Sequence, residues 1–259
     1  MSPVEIETKL AIVSDRPSAI VDQISQLLAV VDFLLVSPET LLLRDTYFDT
    51  ADRQLSAGQL ALRLRDIGGR CLIGLKGPEE PAADGIRRME HEAIWTPMAL
   101  TAVLQLIADC GIPLNKSPVA GLTQNPVRMI EGLGLVPIQV RDTERLRRDL
   151  VDRSERSTAI AELVVDSVSY HLPARDIIHH EIEIELKASG DTEVLSAVCR
   201  ELQVSWRELI PWHHSKYATG WAAERLLETG VLTDHVARSG HLRPSAYEVI
   251  SDWLSEPRG

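Results

Sequence analysis

From Val4 to Leu10 the chain alternates strictly, with Glu5, Glu7 and Lys9 at every second position and Val4, Ile6, Thr8 and Leu10 between them. Successive side chains of an extended strand point to opposite faces, so this segment reads as a strand with one ionic and one mostly apolar face. The pattern returns far along the chain, where Glu181, Glu183, Glu185 and Lys187 alternate with Ile182, Ile184 and Leu186. In between, Arg63 and Arg65 share a face opposite Leu62 and Leu64, and Arg88, Glu90 and Glu92 share another. Glu162 and Asp166 share a face opposite Leu163 and Val165, Arg145 shares one with Arg147, and Lys76 ends the run CLIGLK. Taken singly, each face fits the wet side of an ordinary antiparallel sheet. Together they hold Glu in one group and Arg in another with few neutral polar residues, and faces of both signs are expensive to bury dry. An α+β fold resolves this: an eight-stranded antiparallel closed β-barrel, a tunnel with a wet charged lumen, carries helices packed on its apolar outside.

The strand pattern predicts Val4 to Ile12, Thr40 to Asp49, Gln59 to Asp66, Arg70 to Lys76, Ile86 to Trp95, Pro137 to Leu150, Thr158 to Tyr170 and Ile178 to Ala188. Helical periodicity predicts Ser18 to Val31, Met98 to Cys110, Asp191 to Gln203, Ser215 to Thr229 and Ser245 to Leu254. Asp191 is the expected N-cap of the third of these. Gly68-Gly69 and Asp84-Gly85 read as hairpin turns, the second following a Pro-rich break from Gly77 to Pro81. Residues 1–229 are expected to form one domain, and 230–259 a helical tail.

A net charge of −11 argues against a nucleic-acid surface, so any anion site must be a local basic cluster. The three cysteines, Cys71, Cys110 and Cys199, have no metal-ligand spacing and read as reduced thiols. No signal peptide or bilayer-spanning run is visible, and the expected location is the cytoplasm, without membrane partners. A carboxylate cluster offers the oxygen ligands that Mg²⁺ or Mn²⁺ prefers, while clustered Arg and Lys suit phosphate oxygens. Both in one lumen point to a metal-complexed polyphosphate.

These segments resemble the CYTH superfamily of triphosphate tunnel metalloenzymes. Glu5-Ile6-Glu7-Thr8-Lys9 matches its ExExK, Asp45-Thr46-Tyr47-Phe48-Asp49-Thr50 its DTYFDT, and Leu55, Gly58 and Ala61 to Arg65 its LxxxGxALRxR. Leu75 to Pro78 matches LKGP and Arg88 to Glu92 matches RxExE; Ala161 to Asp166, Glu181 to Lys187 and Ser215-Lys216 follow in family order. The resemblance covers about residues 1 to 225.

It implies an eight-stranded tunnel that acts on a triphosphate with a divalent metal. Glu5 and Glu7 would hold the metal with Glu183 or Glu185, and Glu90 and Glu92 would complete the acidic wall. Lys9, Arg63, Arg65, Lys76, Arg88, Arg145 and Lys216 would clamp phosphates, Lys76 at the reaction centre, and the other of Glu183 and Glu185 would orient the attacking water. Arg141 and Arg147 share parity with Arg145, which is preferred among the three. Glu181 is placed at the tunnel mouth and Lys187 at a solvated strand end. His179-His180 and His213-His214 resemble a zinc motif only superficially. The activity expected first is hydrolysis of inorganic tripolyphosphate by a monomer or homodimer. Nucleoside or thiamine triphosphatase, class IV adenylate cyclase and a non-catalytic polyphosphate-binding module are the alternatives.

Overall fold

The computed structural model describes residues 4–82, 85–114, 125–188 and 190–256. Asp84, expected in a turn, lies outside them. Eight long strands are β1 (Val4–Ile12), β3 (Phe33–Thr50), β4 (Ala61–Ile67), β5 (Arg70–Ala82), β6 (Gly85–Ile94), β7 (Leu135–Asp152), β8 (Ala159–Tyr170) and β9 (Ile177–Leu186). Two short ones, β2 (Ala29–Val30) and β10 (Leu209–Pro211), pair with β3 and β1. The order β1-β6-β5-β4-β3-β7-β8-β9 returns to β1 through a β1–β9 pairing, so the sheet is a closed eight-stranded antiparallel barrel with its helices outside. Among the described residues the helices are α1 (Pro17–Ser25), α2 (Gln54–Ala57), α3 (Pro97–Asp109), α4 (Pro126–Glu131), α5 (Glu193–Ser205), α6 (Lys216–Glu228) and α7 (Pro244–Ser255). None is long and apolar enough to cross a membrane.

Two compact units share these elements. The first comprises Met1–Glu5, Leu42–Glu80 and Arg87–Asp142. Its core sets Leu62, Leu64, Ile73 and Leu75 against Leu100, Val103 and Ile107, one face of α3 at helical spacing. Thr96 caps that helix by accepting from the Ala99 amide at 3.0 Å. Asp49 is wholly buried and accepts from the amides of Leu55 and Ser56 at 2.8 and 3.0 Å, fixing α2.

The second unit comprises Ile6–Leu41, Pro81–Ile86 and Thr143–Gly259. Leu10, Ile12, Leu163, Val165, Ile182 and Ile184 pack on Ile20 and Ile24 of α1 and Leu195, Val198 and Leu202 of α5. A separate apolar cluster joins Ala11, Val168, Tyr170 and Ile177 to Trp212, α6 and α7, the last through Ala246, Tyr247 and Ile250. Residues beyond 230 are therefore packed into a core.

Three sequence expectations need correction. Gly77 to Pro81 is no break, because β5 runs on to Ala82. Its pairing with β4 ends at Lys76, which leaves Pro78 beyond that ladder. The helix expected over Ser18 to Val31 stops at Ser25, and Ala29-Val30 turns back on Phe33-Leu34 instead. The β-branched Val30 favours that strand, and Val31 takes the positive φ of the tight turn, a costly place for a β-branched residue. Helix α5 starts at Glu193, with Asp191 Oδ1 accepting the Glu193 amide at 3.1 Å from one residue further out than a standard N-cap. Gly68-Gly69 is the expected two-residue hairpin turn, both glycines at positive φ.

His180, on the helix-covered side of β9, carries the clearest pH signature. Burial pushes its imidazole down to about 3, with His179 and His241 adding to the effect, and its Nδ1 bonds the Ser167 hydroxyl at 2.9 Å. The unfolded imidazole takes a proton near pH 6.5 and the folded one only near 3, so stability is full above pH 6.5 and is lost as pH falls toward 3. Urea unfolding between pH 7 and 4.5 should show a slope approaching about 1.4 kcal/mol per pH unit. His180→Leu should flatten it.

Candidate active site

In the first unit the ionic residues form a continuous chain of alternating sign. Arg88 bonds Glu79 at 3.1 Å and Glu5 at 2.9 Å, and Glu5 takes Lys76 at 3.1 Å. Lys76 also reaches Glu90 at 3.1 Å, and Arg63 bridges Glu90 at 3.2 Å to Glu92 at 2.7 Å. Beyond Arg63 lies Asp45, fully buried, which receives a bidentate pair from Arg65 at 2.7 and 2.8 Å and a third guanidinium from Arg141 at 3.2 Å. Local register explains the placement. Asp45 lies opposite Arg65 and Tyr47 opposite Arg63 on β3 and β4, while Gly74 lies opposite Arg63 on β5. A Cβ on Gly74 would sit 3.2 Å from Arg63 Nε, so glycine leaves the room in which that side chain extends toward Glu92.

Burial by itself would raise the Glu5 carboxyl, but Lys76 and Arg88 outweigh it and hold the group well below the ordinary carboxylate range. Asp45 and Glu92 are depressed in the same way, Asp45 against Arg65, Arg63 and Arg141, Glu92 against Arg63 and Arg65. The Tyr47 phenol is also lowered: desolvation opposes ionisation, yet Arg141 and Arg63 prevail, and Arg141 lies over the ring at 4.7 Å with its Nη2 on the hydroxyl at 2.5 Å.

The second unit builds its ionic face in rows across β1, β9 and β8. Register sets Glu7 opposite Glu185 and Glu185 opposite Glu162, then Lys9 opposite Glu183, then Ala11, Glu181 and Asp166. Three carboxylates in one row repel, and cations answer them: Lys9 lies 3.6 Å from Glu7, and Lys187 lies 3.0 Å from Glu185 and 3.4 Å from Glu162, with Arg147 at 3.5 Å from Glu162. Along β9, side-chain exposure falls from 31% at Glu185 through 11% at Glu183 to 0% at Glu181. The face then ends on the apolar cluster of Tyr170, Ile177, Trp212 and Tyr247. Glu181 is thus not at a mouth but at the floor, because α6 and α7 pack over that end.

At the floor, Lys216 Nζ sits among Glu181, Glu183 at 2.6 Å and Asp166 at 2.9 Å. Ser215 caps α6 by accepting the Ala218 amide at 3.2 Å, which makes Lys216 its first residue, and the Tyr170 hydroxyl donates to the Lys216 carbonyl at 2.9 Å. Arg145 forks onto Asp166 at 2.9 and 2.6 Å and onto Glu183 at 2.8 Å. Burial would raise Glu183, but Lys216 and Arg145 hold it well below the carboxylate range, and Lys216 is raised in return by Glu181, Glu183 and Asp166 against its own desolvation.

The CYTH domain model of protein families matches residues 4–208. The chain belongs to the CYTH family. Among curated proteins none matches the CYTH chain significantly by sequence. Among solved structures, one similar chain is HpAC1 of Hippeastrum, described as a candidate adenylyl cyclase with a dominant triphosphatase activity; it is 18% identical with a TM-score of 0.53 over 85% of this chain and 96% of that one. A candidate adenylate cyclase of Bacillus halodurans is 21% identical over 82% and 94%, with a TM-score of 0.46. HpAC1 shares the fold of this CYTH chain.

Of the residues expected from sequence, Glu5, Arg63, Arg65, Lys76, Arg88, Glu90 and Glu92 come together in the first unit, and Glu7, Lys9, Arg145, Glu183, Glu185 and Lys216 in the second. Arg145, preferred over its parity neighbours, joins the Asp166–Glu183 cluster, Arg141 joins Asp45, and Arg147 pairs with Glu39 at 3.2 Å. Lys187 is not a free strand end, since both Glu185 and Glu162 hold it. Sequence reasoning gave no role to Asp45, Tyr47, Gly74 or Asp166. Strand parity linked Asp166 to Glu162 and Gly74 to Lys76, while Asp45 and Tyr47 met Arg65 and Arg63 only through register. Asp45→Asn would take from Arg65, Arg141 and Arg63 the one carboxylate they share and should lower unfolding stability in urea by about 3 kcal/mol or more. Asp142→Asn, which breaks the exposed pair with Arg44, should change it by less than about 1 kcal/mol.

Proposed function

We propose that this CYTH protein is a divalent-metal-dependent triphosphatase whose preferred substrate is inorganic tripolyphosphate, cleaved to pyrophosphate and phosphate. The observation that carries the proposal is the density of buried cations on the ionic face, each held by a carboxylate rather than by an aromatic or apolar pocket. Such a face offers grips for phosphoryl oxygens. Family membership supports the reaction class, as does the triphosphatase activity named for the Hippeastrum protein.

In this reading Arg63, Arg65, Lys76 and Arg88, with Lys9, Arg145 and Lys216, donate to the phosphoryl oxygens. A phosphoryl-transfer transition state spreads charge over those oxygens, so preorganised cations do much of the work. Lys76 serves the leaving phosphoryl group by balancing the charge that grows on it. Glu7 and Glu185, opposed in register with Glu162 beyond, fit a hard divalent ion because the row is all carboxylate oxygen. Glu183 lies next along the strand. Glu5, Glu90 and Glu92 are further candidate ligands, each of which would exchange an ammonium or guanidinium partner for the metal. Bound there, Mg²⁺ or Mn²⁺ would supply charge neutralisation and orientation of the phosphates. By contrast, Asp166, Glu181 and Glu183, whose oxygens lie within 4.8 Å of one another, already embrace the Lys216 ammonium. With Glu185 given to the metal, Glu183, the other β9 candidate, orients the attacking water.

Phosphate release from tripolyphosphate, ATP and thiamine triphosphate, each with Mg²⁺ and with Mn²⁺, tests the proposal. Tripolyphosphate should give the highest kcat/KM; turnover of ATP to a cyclic product or of thiamine triphosphate alone would replace this substrate, and no turnover of any would leave a binding module. Arg63→Ala should raise KM and lower kcat together, about a hundredfold in kcat/KM, since the contact tightens as charge shifts in the transition state. A kcat equal to wild type would remove Arg63 from that role.

A further inference from the structure

Behind Lys216 the buried polar contacts continue in one direction, away from the ionic face and into α7. His179 is wholly buried on β9, two residues before Glu181 on the same face. Its Nε2 lies 2.8 Å from Glu181 Oε2, and its Nδ1 lies 3.2 Å from the hydroxyl of Tyr247. Glu181 in turn touches Lys216 through its other oxygen. Tyr247 belongs to α7, beyond residue 208 where the family match ends. Its ring packs at 5.6 Å from the His179 ring and edge-on to Trp212 at 5.4 Å, while His179 also lies 6.0 Å from Trp212.

We propose that His179 and Tyr247 are positioning residues that act through Glu181 to fix the ammonium of Lys216, so that the C-terminal helix sets the geometry of a phosphate-binding lysine at the floor of the ionic face. The proposal rests on the phosphate-binding role given above to Lys216. With a neutral imidazole the donor and acceptor pattern has one arrangement. Ionised Glu181 accepts only, so Nε2 carries the hydrogen; Nδ1 then holds a lone pair and accepts from the Tyr247 hydroxyl. Each partner is turned by the next, and the Tyr247 and Trp212 rings pack beside the imidazole. A long lysine side chain has ample rotamer freedom, and a carboxylate fixed from behind removes it before substrate arrives. Nothing in the family-matched segment supplies the hydroxyl: it comes from α7 alone among the described contacts of the His179 ring nitrogens.

The chain has five lysines, so the side-chain ammonium signals of ¹⁵N-lysine-labelled protein form a spectrum simple enough to assign by single substitutions. In the metal-free protein the Lys216 ammonium should be sharp and protected. Tyr247→Phe, which deletes one oxygen, and His179→Leu should broaden or shift that signal and leave Lys9 unchanged; His179→Gln, whose amide can donate to Glu181 and accept from Tyr247, should restore it. In turnover of tripolyphosphate the same two variants should raise KM about tenfold with kcat within about twofold, and His179→Gln should recover wild-type KM. A Lys216 signal unmoved in both variants overturns the proposal, as does a signal that moves equally at all lysines, which marks general loosening of the fold. Wild-type protein that turns over no triphosphate overturns the proposed function instead, and the ammonium spectra still decide whether α7 positions Lys216.

Discussion

Charges kept away from water must be met by opposite charges, and this requirement governs how the ionic side of the barrel is built. In the first unit Glu5, Asp45, Glu79, Glu90 and Glu92 are interleaved with Arg63, Arg65, Lys76, Arg88 and Arg141, each carboxylate touching at least one cation. Ion pairs in such a setting contribute little net stability, because desolvation of both partners offsets most of their attraction. Cohesion comes from the opposite faces of the same strands, where Leu, Ile and Val meet the amphipathic helices. The two faces have different tasks, and strand alternation lets one segment serve both.

The pairing also explains the ionisation states. Burial alone would protonate several of these carboxyls, and the neighbouring guanidiniums and ammoniums reverse that for Glu5, Asp45, Glu181 and Glu183. Cations and carboxylates therefore stay charged together. Small residues matter as much as charged ones here. Gly74 has no chemistry, yet its missing side chain is where Arg63 lies.

The ionic face of the second unit has a direction. Glu7, Glu185 and Glu162 stand at the more open end, Lys9 and Glu183 follow, and Glu181 with Asp166 and Lys216 lie at a floor sealed by Tyr170, Trp212 and α7. Position along β9 rather than residue type separates the roles of three otherwise equivalent glutamates. The C-terminal helix, without charge patterning of its own, closes that end by burying Ala246, Tyr247 and Ile250.

Strand alternation is a property of the backbone, so the sequence by itself determined which side chains share a face, and with it the barrel and the eight long strands. The boundaries that slipped were those set by neighbours: β5 runs past Pro78 because its far ladder has ended there, and α1 yields to β2 because β3 offers a partner. Which carboxylate meets which cation was decided only in three dimensions. Register between strands brought Asp45 against Arg65 and Lys9 against Glu183, and packing of α7 on the sheet end moved Glu181 from an expected mouth to a floor. Those contacts join residues far apart in the chain, and no local pattern records the distance between them.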